Sequence, residues 1–297
     1  MTENTDTTYA ASAERVVVGV DFSDNAARAA AWAAGEAVER GLTLHLVHAL
    51  ELPGAAGALV EPVGYVPAQH GAGEKLLAKI KDLVRDAHPS LVVTSEVSEI
   101  GAAESLVALS ESARLVVTGT RGHGGFAGML LGSVSLKVAA HACCPAVVVR
   151  GEQPGEPINE VVLGIEPDQA MAPIRFAFET AARFGSTLTA VHAWQPYAAY
   201  GTFYAAAAED IEIVREGEQT DLAGQLKAVR EEYPGVVVST DAVRGNPVPV
   251  LIGAARGSRL LVIGSHHHHV RFSVGAGYVV QGLLAHCPTP VAVVPID

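Results

Sequence analysis

The chain repeats itself. The Val-rich run RVVVGVDFSD at Arg15 to Asp24 returns as EVVLGIEPDQ at Glu160 to Gln169, each run passing through a glycine to an acidic residue. LTLHLVHAL at Leu42 to Leu50 is echoed by STLTAVHAW at Ser186 to Trp194, and ARLVVTGTRG at Ala113 to Gly122 by SRLLVIGSHH at Ser258 to His267. HACCPAVVVR at His141 to Arg150 is echoed by HCPTPVAVVP at His286 to Pro295. The offset stays within a residue of 145 along the 297-residue chain, a steadiness that composition alone does not produce. Two successive copies of one fold follow, spanning 14–151 and 158–297, each long enough for its own core. Between them GEQPGEP, Gly151 to Pro157, has the Pro, Gly and Glu content of an exposed connection.

Within the first copy, continuous apolar runs of strand length alternate with segments of helical period, the pattern of parallel β-α units rather than hairpins. The expected strands are Val16 to Val20, Leu44 to Ala49, Leu91 to Val97, Leu115 to Thr118 and Ala146 to Val149. Ala26 to Arg40 is an Ala-rich helix, and Leu76, Leu77, Ile80, Leu83 and Val84 form the apolar stripe of another, with Lys75, Lys79, Lys81 and Arg85 outside it. The fold class is therefore α/β: two tandem, doubly wound, Rossmann-like domains, each with a five-stranded parallel sheet. Pro53 to Gly73, rich in Gly, Pro and Ala, reads as a loop longer than a connector needs, mobile or an interface.

A formal charge of −12, with both signs mixed along the chain, argues against a broad basic footprint for nucleic acid or anionic membrane. Small ligands or proteins are the expected partners. Cys143, Cys144 and Cys287 have neither metal-ligand nor C-x-x-C spacing and read as buried small residues in a reducing compartment, the cytoplasm. The polar opening MTENTDTTYAASAE lacks an apolar signal region and is expected to be a disordered lead-in; no apolar run reaches the roughly 18 residues that span a bilayer.

Bare backbone concentrates in GTRGHGGFAGMLLGSVS, Gly119 to Ser135, between the fourth strand and the next helix. Ligands of such sheets collect outside the carboxyl ends of the strands, where strand order reverses. Gly119 and Gly122 allow close approach or positive φ, and Gly132 and Ser133 open the helix beginning near Val134. The free N–H groups there favour an anion, and Ser133 and Ser135 carry hydroxyls able to donate further hydrogen bonds. No G-K-[ST] follows, and Gly122, Gly124 and Gly125 do not make the G-x-G-x-x-G fingerprint. Glycines that merely end a strand and serines that merely cap a helix would give the same letters.

The spacing G-x(2)-G-x(9)-G-[ST], here Gly119, Gly122, Gly132 and Ser133, resembles the nucleotide motif of the ATP-binding branch of the universal stress protein family. The likeness covers both halves, including VGVD at Val18 to Asp21, LVHA at Leu46 to Ala49 and the closing CPAVVV, and is to tandem members of the kind common in actinobacteria. It implies ATP as ligand, with or without Mg2+, and a nucleotide-responsive regulator of stress or growth arrest acting on an unidentified protein partner. The phosphates and ribose would lie along Gly119, Arg121, Gly122, His123, Gly124 and Gly125, and at the helix start Gly132, Ser133, Val134 and Ser135. Asp21, near Gly19, would face the nucleoside and the backbone of Val47 the adenine edge. Arg121 is then a phosphate partner or a solvated loop cation, and Asp21 a ligand residue or the cap of the helix near Asp24. The family also pairs through its last strand, here Ala146 to Val149 and Val291 to Val294, implying an internal pseudo-dimer and allowing a homodimer.

The second copy departs from this pattern. Gly264 and Gly277 are kept, but His267 stands for Gly122, Tyr278 for Ser133 and Glu166 for Asp21. An imidazole where backbone must touch a ligand, and a phenol at the helix start, predict weak ATP binding or none. HHHH at His266 to His269 lies in register inside the repeat, so it is no appended tag; four consecutive loop residues rarely aim more than two rings at one point, and no metal is expected.

No catalytic residues are assigned. The pocket lacks a P-loop lysine, a paired-carboxylate metal site and a nucleophile with a base beside it, so at most slow ATP hydrolysis is expected. The rivals are an adenylate-handling enzyme of related α/β fold, whose S-G-G-x-D-S loop is absent from DFSDN at Asp21 to Asn25, and a nucleotide-free interaction scaffold.

Overall fold

The computed structural model describes residues 15–50, 65–122, 130–150, 158–166, 170–195, 208–266 and 277–296. The first half runs β1 (Arg15–Gly19), α1 (Asp24–Arg40), β2 (Thr43–Ala49), α2 (Tyr65–Ala87), β3 (Val93–Ser98), α3 (Ala102–Ser110), β4 (Leu115–Gly119), α4 (Ser133–His141) and β5 (Ala146–Val149). The second repeats it as β6 (Ile158–Gly164), α5 (Met171–Phe184), β7 (Thr187–Trp194), α6 (Ala208–Glu232), β8 (Val238–Arg244), α7 (Pro247–Ala254), β9 (Ser258–His266), α8 (Tyr278–His286) and β10 (Val291–Ile296). The N-terminal lead-in, the connection at 151–157 and residues 53–64 of the expected long loop lie outside the described residues.

Strand order is β3-β2-β1-β4-β5-β10-β9-β6-β7-β8, the two five-stranded halves joined into one ten-stranded sheet through their last strands, as the resemblance implied. Pairing is parallel inside each half; across the middle β5 and β10 run antiparallel, with Val148 opposite Val291, Val147 opposite Ala292 and Ala146 opposite Val293. Each of these strands would otherwise present an apolar edge with an unpaired row of N–H and C=O groups, so joining them satisfies both ladders at once.

Helices α1, α2, α5 and α6 cover one face, above a core that runs unbroken from Ala29 and Ala33 to Ile174 and Phe178. On the other face the core is split: Val17, Leu106 and Val116 belong to the first half, and Leu261, Leu283 and Val293 lie in a cluster centred on the second. Ala26, Ala29, Ala30, Ala33, Ala34 and Ala37 form the buried stripe of α1, and side chains that small let the helix lie close to the sheet. Ser23 caps its start, accepting from the Ala26 N–H, and Gly41 ends it in the left-handed conformation at φ 65°.

Helix α2 begins at Tyr65, well inside the expected loop. Pro67 falls in its first turn, where a missing N–H costs little. Gly73 is used for packing: a Cβ there would lie 2.6 Å from the His48 ring, so the propensity cost of glycine in a helix is overridden by a tertiary contact. Cys143 also differs from expectation, being exposed, while Cys144 and Cys287 are buried. Burial pushes the Cys144 thiol up to about 12, which keeps it inert.

Candidate functional site

Strand β1 has β2 on one side and β4 on the other. The chain leaves β1 for α1 on one face and leaves β4 for α4 on the opposite face, so the carboxyl ends of these two neighbours open into a crevice. Gly19, Asp21, Gly119, Arg121 and Gly122 meet there.

The two walls are pinned together by short contacts. Asp21 Oδ1 accepts from the Ser23 N–H at 2.9 Å, an Asx-type turn that fixes the carboxylate while Ser23, not Asp21, caps α1. A Cβ on Gly122 would lie 2.4 Å from Asp21 Oδ2; only a bare backbone lets that limb of the glycine segment sit beside the carboxylate. Asn25 Nδ2 donates to the Arg121 carbonyl at 3.2 Å. A Cβ on Gly119 would lie 2.9 Å from the backbone carbon and oxygen of Asn25, so Gly119→Ala is expected to cost about 2 kcal/mol by forcing β4 and α1 apart. A urea titration with an unchanged m-value checks it, and an unshifted midpoint would show that the wall yields.

The returning limb closes on the outgoing one. The Gly132 N–H donates to the Thr120 carbonyl at 2.7 Å, and the buried Ser135 hydroxyl donates to the Gly119 carbonyl at 2.6 Å. Ser135 Oγ thus serves as a fastener of the loop. Ser133 is exposed at the first position of α4, and no described side chain caps that helix at Gly132. Its leading N–H groups, those of Ser133, Val134 and Ser135, stand at the mouth of the crevice with the helix dipole behind them. His123, Gly124 and Gly125 lie outside the described residues.

The remaining expected positions are placed less directly. Gly19 is a packing glycine, since a Cβ would strike Leu106 of α3 at 2.7 Å; Gly164 repeats this against Leu251 of α7 at 2.9 Å. Val47 is buried, and its carbonyl accepts from the Val20 N–H at 2.8 Å, so the ladder already uses that oxygen. Among the described residues no group of three or more His, Cys, Asp or Glu converges as a metal site, and His267 to His269 lie outside them. No described helix is long and apolar enough to cross a membrane.

A pair of histidines belongs to the architecture and went unassigned in the sequence. The buried His48 Nδ1 donates to the Val20 carbonyl at 2.9 Å, and His192 does the same to Ile165 at 2.9 Å. A carbonyl only accepts, so Nδ1 carries the proton in both halves. Each ring holds the peptide that leads into the acidic residue, Asp21 or Glu166. The recurring V-H-A of the two second strands was the available signal.

In the second half, Ile165, Glu166, His192, Glu218, Asp221, Leu222 and Gln225 line a shallow cavity beside the ends of β6 and β7. His192 Nε2 faces Glu218 Oε2 at 3.4 Å. Three carboxylates, Glu166, Glu218 and Asp221, line this cavity, and the repeat offset puts Asp21, Gly73 and Leu76 of the first half at the matching positions. Tyr278 opens α8 with its side chain 72 % exposed.

The sequence profile of the universal stress protein family matches residues 13–150 and again 157–295. The chain belongs to the universal stress protein family. Two such domains stand in tandem, and relatives match over nearly the whole length: Universal stress protein Rv2005c of Mycobacterium tuberculosis is 31% identical over 290 residues, covering 94% of this chain and 96% of its own. A universal stress protein of Mycolicibacterium smegmatis is 30% identical over 294 residues, with 94% and 96% covered. Among solved structures, a universal stress protein from Archaeoglobus fulgidus superposes with a TM-score of 0.66 at 15% identity, covering 95% of this chain and 96% of that one. At that identity the likeness is one of universal stress protein fold.

Proposed function

We propose that this universal stress protein is a cytoplasmic, ATP-binding regulator with one working nucleotide site, in the first half. The observation that carries the reading is the closed glycine segment, whose bare backbone lies against Asp21 and leads into the uncapped start of α4. Triphosphate oxygens would take the N–H groups of Gly122, Ser133, Val134 and Ser135, with the Ser133 hydroxyl and Arg121 adding donors. His123, Gly124 and Gly125 complete the same segment, and the nucleoside is assigned to the side of Asp21 and Val47. Bound Mg2+ would screen the phosphate charge there.

The asymmetry of the halves supports a single site. Three carboxylates line the second crevice, and juxtaposing them with a polyanion is repulsive in a partly water-excluded cleft. His267 also puts a side chain at the position where Gly122 lets backbone lie against a carboxylate. Binding without dedicated turnover suits a regulator, because a ligand that prefers one conformation shifts the population toward it.

Isothermal titration with ATP, together with mass spectrometry of nucleotide released from the denatured protein, tests the reading. One equivalent per chain is expected. Two equivalents would overturn the single-site assignment, and no binding of any adenine nucleotide would overturn the function.

A further inference from the structure

Arg150 follows β5 and breaks the symmetry of the repeat, for its counterpart is Pro295, which has no side-chain donor. Its Nη2 donates to the Leu130 carbonyl at 2.9 Å, on the limb of the glycine segment that returns to α4. The same nitrogen donates to the Leu284 carbonyl at 3.2 Å and to that of Ala285, both in the last turn of α8. The Cys287 N–H already returns to the Leu283 carbonyl, so Leu284 and Ala285 are carbonyls the helix end leaves over, and a cation is favoured beside them. A guanidinium from the first half thus caps a helix of the second. The matching carbonyls of α4 are those of Ala139 and Ala140, and Pro295, which stands in the place of Arg150, has no side-chain donor to offer them.

The charge on Arg150 is under electrostatic load. Burial first, and the neighbouring Arg121 cation second, lower its pKa, yet a guanidinium stays protonated at any working pH. An anion seated on the glycine segment beside Arg121 offsets the repulsion and orders the limb that carries Leu130. Loop, guanidinium and helix end therefore share one network that spans the β5–β10 seam.

We propose that Arg150 is a positioning residue that couples occupancy of the first-half glycine segment to the last turn of α8 in the second half. An anion bound on one half is then felt as tightening of the other. The asymmetry is built in, because the mirror link, from the second-half segment to α4, would need a donor where Pro295 stands. The inference rests on the reading of that segment as a nucleotide site.

The test is amide hydrogen exchange on the intact chain, with and without ATP, in the wild type and in Arg150→Gln, with circular dichroism to confirm folding. In the wild type, ATP is expected to slow exchange at 283–289 by about fivefold or more, the lower range for coupled sites. In Arg150→Gln, ATP still binds but that protection is lost; Arg150→Lys, which keeps the charge without the fork, retains part of it. ATP that binds the wild type without protecting 283–289, or protection that survives in Arg150→Gln, overturns the coupling and leaves the nucleotide reading intact. No ATP binding in the wild type overturns the nucleotide reading, and the coupling is then decided by the nucleotide-free arm. There Arg150→Gln must speed exchange at both 130–136 and 283–289, and an effect confined to one segment, or none, overturns it. If Arg150→Gln does not fold, Arg150→Lys decides: ATP protection of 283–289 smaller than in the wild type is expected, and undiminished protection overturns the coupling.

Discussion

Gly122→Glu is expected to lower ATP affinity by at least about 100-fold while leaving the far-UV circular dichroism spectrum and the unfolding midpoint nearly unchanged. Gly122 is exposed, and the atom a Cβ there would meet is the end of the Asp21 side chain, which can turn aside at little cost to the fold. Its backbone, however, lies so close to Asp21 that a Cβ would fall 2.4 Å from Oδ2. The new side chain displaces that carboxylate and adds its own negative charge where phosphate oxygens would approach, and like-charge juxtaposition of this kind costs several kcal/mol. Gly122→His makes the same test with the residue the second half carries at His267, and is expected to weaken binding through size without the added charge. Titration calorimetry at fixed salt reads both. Undiminished affinity in a folded Gly122→Glu protein would mean that the nucleotide lies elsewhere.

Glu36→Ala is expected to destabilise the chain by about 3 kcal/mol or more. Glu36 and Arg40 form an ion pair at 2.9 Å in which both side chains are less than 5 % exposed. The pair sits at the seam between the halves, with the Arg40 guanidinium 5.5 Å from the Phe176 ring of α5. Close by, Arg114 of the first half holds Glu179 of α5 at 2.8 Å. Burial, then the Arg40 cation, lower the pKa of Arg183, while Glu179 and Glu36 raise it. Removing the Glu36 carboxylate therefore leaves the buried Arg40 guanidinium without the carboxylate it bonds, while the nearby exposed Arg183 keeps Glu179. Replacing the pair together, Glu36→Leu with Arg40→Met, is expected to recover most of the loss, since an apolar substitute leaves no charge unpaired. Urea unfolding of the three proteins decides this; a loss below about 1 kcal/mol in Glu36→Ala would show that water reaches the pair.

Much of the first half was readable along the chain because its signals are local. Val16, Val17 and Val18 form a continuous apolar run, and the alanines of α1 recur at helix spacing; both features depend only on residues a few positions apart. The start of α2 was not readable for the opposite reason. Pro67, Gly71 and Gly73 carry the letters of a loop, and what holds Gly73 in a helix is the ring of His48, on a different strand. In the candidate site the spacing of Gly119, Gly122 and Gly132 was plain, but the target of Ser135 was not. A hydroxyl at a helix start looks alike in sequence whether it serves a ligand or, as here, the Gly119 carbonyl.

The sequence by itself determined that there are two copies, that strands alternate with helices within the first, and that the second has lost a glycine and a hydroxyl where the first keeps them. These follow from period, propensity and register, which neighbouring residues carry among themselves. Only the tertiary structure decided the antiparallel register in which β5 and β10 join ten strands into one sheet, that Asp21 meets Gly122 across the crevice, and that Arg150 reaches from the glycine segment to α8. Each of these depends on where a hydrogen-bonding group or a missing Cβ comes to rest after residues remote in the chain have packed. Such partners are chosen by geometry at hydrogen-bond distance, which local sequence patterns do not encode.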